Sequence, residues 1–140
     1  MADLDIDSLV PHRRPLRLID EILSVGEASA ETAAVVTADW PTVANGAADV
    51  LVLVELVAQT AAVIGGYQAV TDPAGAHPHK GMLVGIKQAA FSAENLPVGT
   101  RIVIHATTRA LMEHFKHIDG IARIGDRIVG EMALQGVQTA

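Results

Sequence analysis

Glu55 and Gln59 are the two residues whose types and spacing most directly suggest chemistry. They lie four residues apart in the most apolar segment of the chain, LVLVELVAQTAAVIGG. In a helix this spacing places both side chains on one face, so Gln59 can hold the Glu55 carboxyl. An apolar environment disfavours a charged carboxylate, which suits Glu55 to act as a general acid or to hold a hydroxyl group. The structural alternative is a buried carboxyl paired with an arginine or a neighbouring subunit. Burying such a pair without a purpose costs free energy, so we predict that Glu55 and Gln59 are catalytic.

Histidines are the other residue type in this chain that could bind metal or transfer protons. They occur in two close pairs and two isolated positions, namely His77 with His79, His114 with His117, His12 and His105. Either pair resembles metal ligands, but the chain has no cysteine and neither pair has an acidic residue at ligand spacing. We therefore predict no metal site. His105 lies on the mixed face of its predicted strand, where a surface or interface position is the simplest interpretation.

One long helix, predicted for residues 49–69, must position Glu55 and Gln59. Asp49 is a good N-cap residue, and apolar residues occur on all sides, so we expect burial on nearly every side. The helix would span roughly 30 Å at 1.5 Å per residue. The longest apolar run covers residues 50–64. It is interrupted by polar side chains and is too short for a membrane span.

The rest of the chain is predicted to form antiparallel strands. We place a short helical turn at residues 5–10, strands at 16–24 and 28–37, and then a loop that contains Pro41, Asn45 and Gly46. Further strands are predicted at 81–91, 101–110, 115–124 and 127–137. Residues 101–110 show the clearest alternation, with Ile102, Ile104 and Ala106 on one face. Gly125-Asp126 predicts a two-residue hairpin loop. A sheet that covers a helix on all sides must curl around it, which gives an α+β fold.

Composition restricts the functional classes. The chain has 140 residues, of which 50% are hydrophobic and 3% aromatic, and its net charge is -6. We expect a single domain, residues 1–140, and an oligomer, since so aliphatic a chain must cover its apolar surface. Nucleic acid is an unsuitable partner for an acidic chain with few stacking rings. The first residues lack the basic and apolar stretches of a signal peptide, so we expect a soluble, cytoplasmic protein.

Three motifs resemble the 3-hydroxyacyl-acyl-carrier-protein dehydratases. VPHRRPLRLIDEIL (residues 10–23) is similar to their Pro-His-Arg-x-Pro opening, and LVLVELVAQ (residues 51–59) to their central helix. GMLVGIKQAAFSAENLPVGTRI (residues 81–102) is similar to their third strand and the Pro-x-Gly turn that follows. Its Leu-Pro-Val-Gly turn most resembles a divergent subgroup that accompanies gene clusters for aryl polyenes and related polyketide-like chains. The resemblance implies the hot-dog fold, a long central helix wrapped by a curved antiparallel sheet.

The chain departs from the family at the catalytic histidine. The dehydratases carry this residue in a Gly-His-Phe-Pro motif before the helix, whereas residues 39–48 (DWPTVANGAA) contain no histidine. Asp49-Val50 replaces the Pro-Gly pair that opens the family's helix. In the family, a dimer-interface site combines the histidine of one chain with the glutamate of the other. The resemblance therefore implies a dehydratase-like subunit for fatty-acid or polyketide-type synthesis, completed by a His-bearing partner chain.

Dehydration of a 3-hydroxyacyl thioester suggests further roles. Glu55 would protonate or hold the departing hydroxyl, and backbone N–H groups near Val50 would polarise the thioester carbonyl. Lys87, in the motif strand, is the basic residue that we assign to substrate or carrier binding. No cofactor is implied beyond the phosphopantetheine of an acyl carrier protein or coenzyme A that carries the substrate.

Two alternatives remain open. The first is a homo-oligomeric acyl thioesterase, since some hot-dog thioesterases use a helix carboxylate as base or nucleophile and need no histidine. The second is a non-catalytic stabilising or acyl-binding subunit. We expect either a homo-oligomer or a heterodimer with another hot-dog chain, with the sheet edge or the helix N-terminal region at the interface.

Overall fold

The computed structural model describes residues 6–9, 17–71, 80–112 and 115–139. Its elements, in chain order, are α1 (Ile6–Leu9), β1 (Glu21–Val25), β2 (Ser29–Val35), β3 (Val43–Ala44), β4 (Ala47–Asp49), α2 (Val52–Thr71), β5 (Lys80–Phe91), β6 (Asn95–Pro97), β7 (Arg101–Met112), β8 (Phe115–Ile124) and β9 (Arg127–Thr139).

Six strands form one antiparallel sheet that packs around α2. The strand order is β1-β2-β7-β8-β9-β5, which leaves β1 and β5 at the edges. On β7, the predicted inner residues Ile102, Ile104 and Ala106 are all fully buried. β8 and β9 are joined at Gly125-Asp126, and Gly125 has a φ of 59°, as the predicted hairpin requires. The predicted α+β architecture is confirmed.

The helix α2 lies close against the inner side of the sheet. Leu53, Leu56 and Val57 have no exposed surface. Gly120 of β8 permits the contact, because a Cβ atom there would lie 2.4 Å from Val57 Cγ1. The sheet therefore holds the helix through direct packing of its central strands.

One face of α2 differs from the sequence prediction. Glu55, Ala58, Ala62 and Gly65, which we call the open helix face, are only half-buried. Their spacing places them on one side of the helix. The expectation of burial on nearly every side is wrong here, because the sheet of the single chain does not close over this side.

The length of α2 also exceeds the apolar run seen in the sequence. It has 20 residues, and by length and composition alone it could cross a membrane. About half of it is buried inside the fold, and it forms the centre of the core. This position is that of a core helix.

The segment before α2 was predicted to be a loop, but it contains a small hairpin. β3 and β4 pair across Asn45 and Gly46, whose φ angles are 54° and 78°. Asn-Gly favours this left-handed turn conformation, and its two strands are only two and three residues long. β4 also pairs with β6. This small sheet leads directly into the N-terminus of α2.

Candidate active site on the central helix

The Glu55 and Gln59 side chains are in direct contact. Gln59 Nε2 donates a hydrogen bond to Glu55 Oε1 at 3.0 Å. Gln59 has no exposed surface, whereas Glu55 is half-buried. The other end of the Gln59 amide is also engaged, because its Oε1 accepts the backbone N–H of Leu18 at 2.8 Å. The contact expected from the helical spacing is therefore present, and the catalytic role of the pair stays a prediction.

The carboxyl lies on the half-buried side of α2. Glu55 belongs to the open helix face, whose other members are alanine or glycine. At the neighbouring sheet edge, Ile86 pairs with fully buried Leu134 and so points to the inner side of the sheet, yet it is 53% exposed. Among the described residues, the helix face beside Glu55 and the inner side of β5 are therefore partly exposed.

The N-terminus of α2 was predicted to bind a carbonyl group near Val50. Asp49 acts as the predicted cap, since its Oδ1 accepts the Leu51 N–H at 2.9 Å. The Leu53 and Val54 N–H groups donate to the carbonyls of Val50 and Leu51 at 3.0 Å. Three N–H groups of this first turn are thus engaged within the helix terminus, and substrate binding at Val50 stays a prediction.

Residues 39–48 provide a carboxylate and an indole in place of an imidazole. Asp39 is exposed, and its Oδ1 accepts a hydrogen bond from the Thr37 hydroxyl. Trp40 is buried, and its Nε1 has no hydrogen-bond partner within the described parts of the chain. Neither residue was singled out by the sequence. Within residues 39–48, all of which are described, no imidazole replaces the family's histidine.

The two histidines in the described residues lie on the face of the sheet opposite α2. His105 Nδ1 lies 3.6 Å from Glu31 Oε2, and His117 Nε2 lies 2.8 Å from Asp119 Oδ1. Their strand neighbours Ile104 and Ile118 are buried, and alternate strand residues point to opposite faces. Neither imidazole is therefore placed to act with Glu55. His12, His77, His79 and His114 lie outside the described residues.

No cluster of three or more metal-ligating side chains occurs in residues 6–9, 17–71, 80–112 and 115–139. The expectation of no metal site stays a prediction. Lys87 is exposed on β5, within a register shift between Ile86 and Gln88. Its proposed role in binding is not tested by this position. The sequence interpretation gave Lys116 no role, although desolvation on β8 lowers the pKa of its ammonium and its Nζ donates to Gln68 Oε1 at 3.2 Å.

Comparisons with known proteins support the fold and establish the family. The family model for ApeP-like proteins, described as ApeP dehydratase, matches residues 4–139. The chain is similar in structure to the dehydratase heterocomplex ApeI:P from Xenorhabdus doucetiae, with 19% identity and a TM-score of 0.88 over 98% of this chain and 92% of that chain. No curated protein matches significantly.

Thioesterase-type structures share the fold at lower similarity. A hypothetical thioesterase with coenzyme A from Streptococcus pneumoniae TIGR4 is 12% identical, with a TM-score of 0.65 over 86% of this chain and 85% of that chain. The PaaI protein of the phenylacetic acid degradation operon of E. coli is 14% identical, with a TM-score of 0.64 over 84% of this chain and 81% of that chain. At such identities the structural similarity shows the fold alone.

The family model covers nearly the whole chain and agrees with the divergent dehydratase subgroup that the motifs resemble. The structural matches independently give the predicted hot-dog fold, a helix held by a curved antiparallel sheet. Both predictions are confirmed: the chain is a hot-dog-fold protein that belongs to the ApeP-like dehydratase family.

Proposed function

We propose that this chain is one subunit of a two-chain dehydratase that acts on 3-hydroxyacyl thioesters. It would supply Glu55 and Gln59, and a second hot-dog chain would supply the base. The observation that carries the proposal is the 3.0 Å hydrogen bond between Gln59 and Glu55, on a helix face that the single chain leaves half-exposed. A positioned carboxyl beside an open surface is what an interface site requires.

The proposed reaction requires a base from the partner chain and an acid from this chain. An imidazole of the partner removes the C2 proton, the electron pair of that C–H bond forms the C2–C3 double bond, and the C3–O bond breaks. Glu55 gives its proton to the departing hydroxyl, which leaves as water, and the products are water and the enoyl thioester. The carboxylate and the protonated imidazole must then exchange a proton, directly or through water, before the next cycle. A positioned acid or base typically contributes ~10²–10⁴-fold.

The need for a partner is supported from two directions. Residues 39–48 contain no histidine, and His105 and His117 lie on the opposite face of the sheet from Glu55. In addition, the similar structure from Xenorhabdus doucetiae is a dehydratase heterocomplex. We therefore propose heterodimer formation with a His-bearing hot-dog chain in preference to a homo-oligomer.

The interface we propose consists of the open helix face and strand β5. Edge strands have unpaired backbone groups that favour pairing with another chain, and β5 has 12 residues with β9 as its neighbour on one side. Ile86 is 53% exposed on the inner side of this strand. A partner strand beside β5 would cover Ile86 and place the partner's residues next to Glu55.

The substrate would arrive on a phosphopantetheine arm, either of an acyl carrier protein or of coenzyme A. Lys87 is exposed on the proposed interface strand and could bind the phosphate, while the helix N-terminus near Val50 would face the thioester carbonyl. We propose that the pathway is fatty-acid or polyketide-type chain synthesis in the cytoplasm.

The test is reconstitution. The purified chain is assayed alone and after mixing with a His-bearing hot-dog chain, using a 3-hydroxyacyl thioester and following the enoyl thioester by absorbance and mass. We expect little turnover by either chain alone and turnover by the mixture. Glu55→Gln should lower the activity of the mixture ~10²-fold or more. Glu131→Gln, the same change at an exposed residue of β9, is the matched control and should retain activity.

The results also separate the alternatives. Full dehydration by the homogeneous chain would refute the two-chain proposal. Thioester hydrolysis without dehydration would favour the thioesterase, a function that the fold similarity to the thioesterase from Streptococcus pneumoniae makes worth testing. A mixture whose activity is unchanged by Glu55→Gln would indicate a non-catalytic stabilising subunit.

A further inference from the structure

We infer that Thr32 and Thr60 form a hydrogen-bonded latch between β2 and α2, which fixes the rotation of the helix and so keeps Glu55 on the open helix face. Thr32 Oγ1 and Thr60 Oγ1 lie 2.8 Å apart, and neither residue has any exposed surface. Because both are fully buried, they are positioning residues and not catalytic ones. Their importance for catalysis rests on the proposed function, whereas the latch itself does not.

The direction of the hydrogen bonds in the latch follows from the chemistry of the groups. The Leu56 carbonyl can only accept, so Thr60 donates its single hydroxyl proton to Leu56 O at 2.8 Å. Thr60 then has no proton left for Thr32, and Thr32 must donate to Thr60 Oγ1. The two hydroxyls therefore form a chain that begins on the sheet and ends on the backbone of the helix.

This chain ends close to Glu55. Leu56, whose carbonyl accepts the last hydrogen bond, is the residue that follows Glu55. Thr60 lies five residues beyond Glu55, which at 3.6 residues per turn places the two side chains about 140° apart around the helix axis. A hydrogen bond that holds Thr60 against β2 therefore turns Glu55 away from β2, to the side of the helix that is half-buried.

The helix requires a directional contact because its sequence is apolar on all sides, and apolar burial has no preferred direction. Rotation of Thr60 away from β2 would leave the Thr32 hydroxyl without its acceptor in the core, which costs free energy. Among the described residues, the polar side chains without exposed surface are Thr32, Gln59 and Thr60. Gln59 is also bonded outside the helix, at the Leu18 N–H. The buried polar contacts are thus concentrated at one turn of α2.

A double-mutant cycle in the isolated full-length chain tests the latch without any thioester. Thr32→Val and Thr60→Val each replace a hydroxyl by a methyl group. Thr60→Val leaves the Thr32 donor unpaired and should lower the urea midpoint of unfolding by about 1 M. Thr32→Val leaves Thr60 its bond to Leu56 and should have a smaller effect. The double variant replaces both partners by apolar groups and should regain most of the native stability.

Hydrogen exchange of the Leu18 amide measures the position of the helix separately from its stability. Gln59, which accepts this N–H, is the neighbour of Thr60 in the helix. The double variant should therefore exchange the Leu18 N–H ~10-fold faster or more, although its global stability is close to native. Thr60→Ser keeps the hydroxyl and should keep the native protection. Thr107→Val is the matched control, because Thr107 follows the fully buried Ala106 on β7 and so lies on the outer face of the sheet.

The reconstituted mixture tests the link to catalysis. A carboxyl displaced by about 1 Å can cost ~10²-fold in rate, so the double variant should lower kcat by up to this factor with a smaller change in KM. Thr60→Ser and Thr107→Val should retain native kcat. If the latch served stability alone, the stable double variant would also retain native kcat.

The latch is refuted if the two single effects simply add in the double variant, or if the double variant keeps native protection at Leu18. Native kcat in a double variant that has lost this protection would refute the positioning of Glu55. If a single variant does not fold, the double variant and Thr60→Ser still decide the question. A native mixture that does not dehydrate, with the stability and exchange results as expected, would instead refute the proposed function and leave the latch established.

Discussion

Gly120 is the residue at which the packing of the sheet on the helix should be least tolerant of change. A Cβ atom at this position would lie 2.4 Å from Val57 Cγ1 and 2.5 Å from Val57 Cγ2. Non-bonded carbon atoms prefer separations of about 3.5–4.0 Å, so the new methyl group overlaps Val57 by roughly 1 Å. Val57 is fully buried, and its β-branched side chain has one preferred rotamer in a helix. The Val57 side chain therefore cannot rotate away from the new methyl group, and the helix must shift instead.

Gly120→Ala should therefore lower the free energy of unfolding by ~1–3 kcal/mol through overpacking. Val57→Ala removes the two clashing carbons and should alone cost about 2 kcal/mol, from roughly 0.8 kcal/mol per carbon plus a cavity term. In the double variant the new methyl group occupies the vacated space. Its destabilisation should be smaller than the sum of the two single effects by about 1–2 kcal/mol.

Urea unfolding of the three variants measures this coupling. Gly65→Ala is the control, because a Cβ atom there meets nothing within 4 Å and alanine should stabilise the helix by roughly 0.5–1 kcal/mol. Val57 lies between Glu55 and Gln59 in the helix, so Gly120→Ala should also reduce the activity of the reconstituted dehydratase. Additive single effects, or a Gly120→Ala chain as stable as the native one, would refute the close packing of β8 on α2.

Three further predictions concern the site and its surroundings. Glu55→Gln should leave the stability of the isolated chain nearly unchanged or slightly higher, since it removes a half-buried acid and keeps the shape, whereas Leu53→Ala should cost ~2–5 kcal/mol. Urea titrations distinguish the two variants, and unfolding by Glu55→Gln would show that the carboxyl is structural. Desolvation lowers the pKa of Lys116 below its ordinary 10.5, so the charged form of Lys116 destabilises the fold. The native chain should therefore gain stability relative to Lys116→Met as the pH rises from the lowered pKa towards 10.5. A stability difference that does not change with pH would contradict this prediction. Ile86→Lys should leave the single chain folded but weaken its assembly with a partner, which light scattering at micromolar concentration measures. A native chain that stays monomeric at 14.6 kDa, with and without its partner, would rule out the proposed interface.

The sequence was most informative where a pattern depends on local spacing. β8 was predicted with its observed bounds, Phe115–Ile124, because alternation and the Gly125-Asp126 turn are both short-range signals. The contact between Glu55 and Gln59 was also predictable, since a helix fixes the distance between residues four apart. The cap at Asp49 follows from the same local geometry.

Other features depend on contacts that no local pattern encodes. An apolar helix surface requires a neighbour but does not specify whether that neighbour belongs to the same chain, which is why the open helix face was predicted to be buried. The Leu18–Gln59 hydrogen bond joins residues 41 positions apart, and it involves a backbone group that sequence cannot single out. The β3–β4 hairpin was missed because strands of two and three residues show no alternation, although Asn45-Gly46 is a turn signal.

The arrangement of Glu55 explains why one chain should be insufficient for the proposed reaction. A carboxyl cannot accept the C2 proton and donate a proton to the C3 hydroxyl in the same concerted step. Gln59 Nε2 donates a hydrogen bond to Glu55 Oε1, and in the proposed reaction Glu55 donates its proton, which leaves the accepting role to another group. If the homogeneous chain nevertheless dehydrates a thioester, the base must come from this sequence. The histidines outside the described residues, His12, His77, His79 and His114, then become the first candidates, and replacing each with alanine would identify which one serves Glu55.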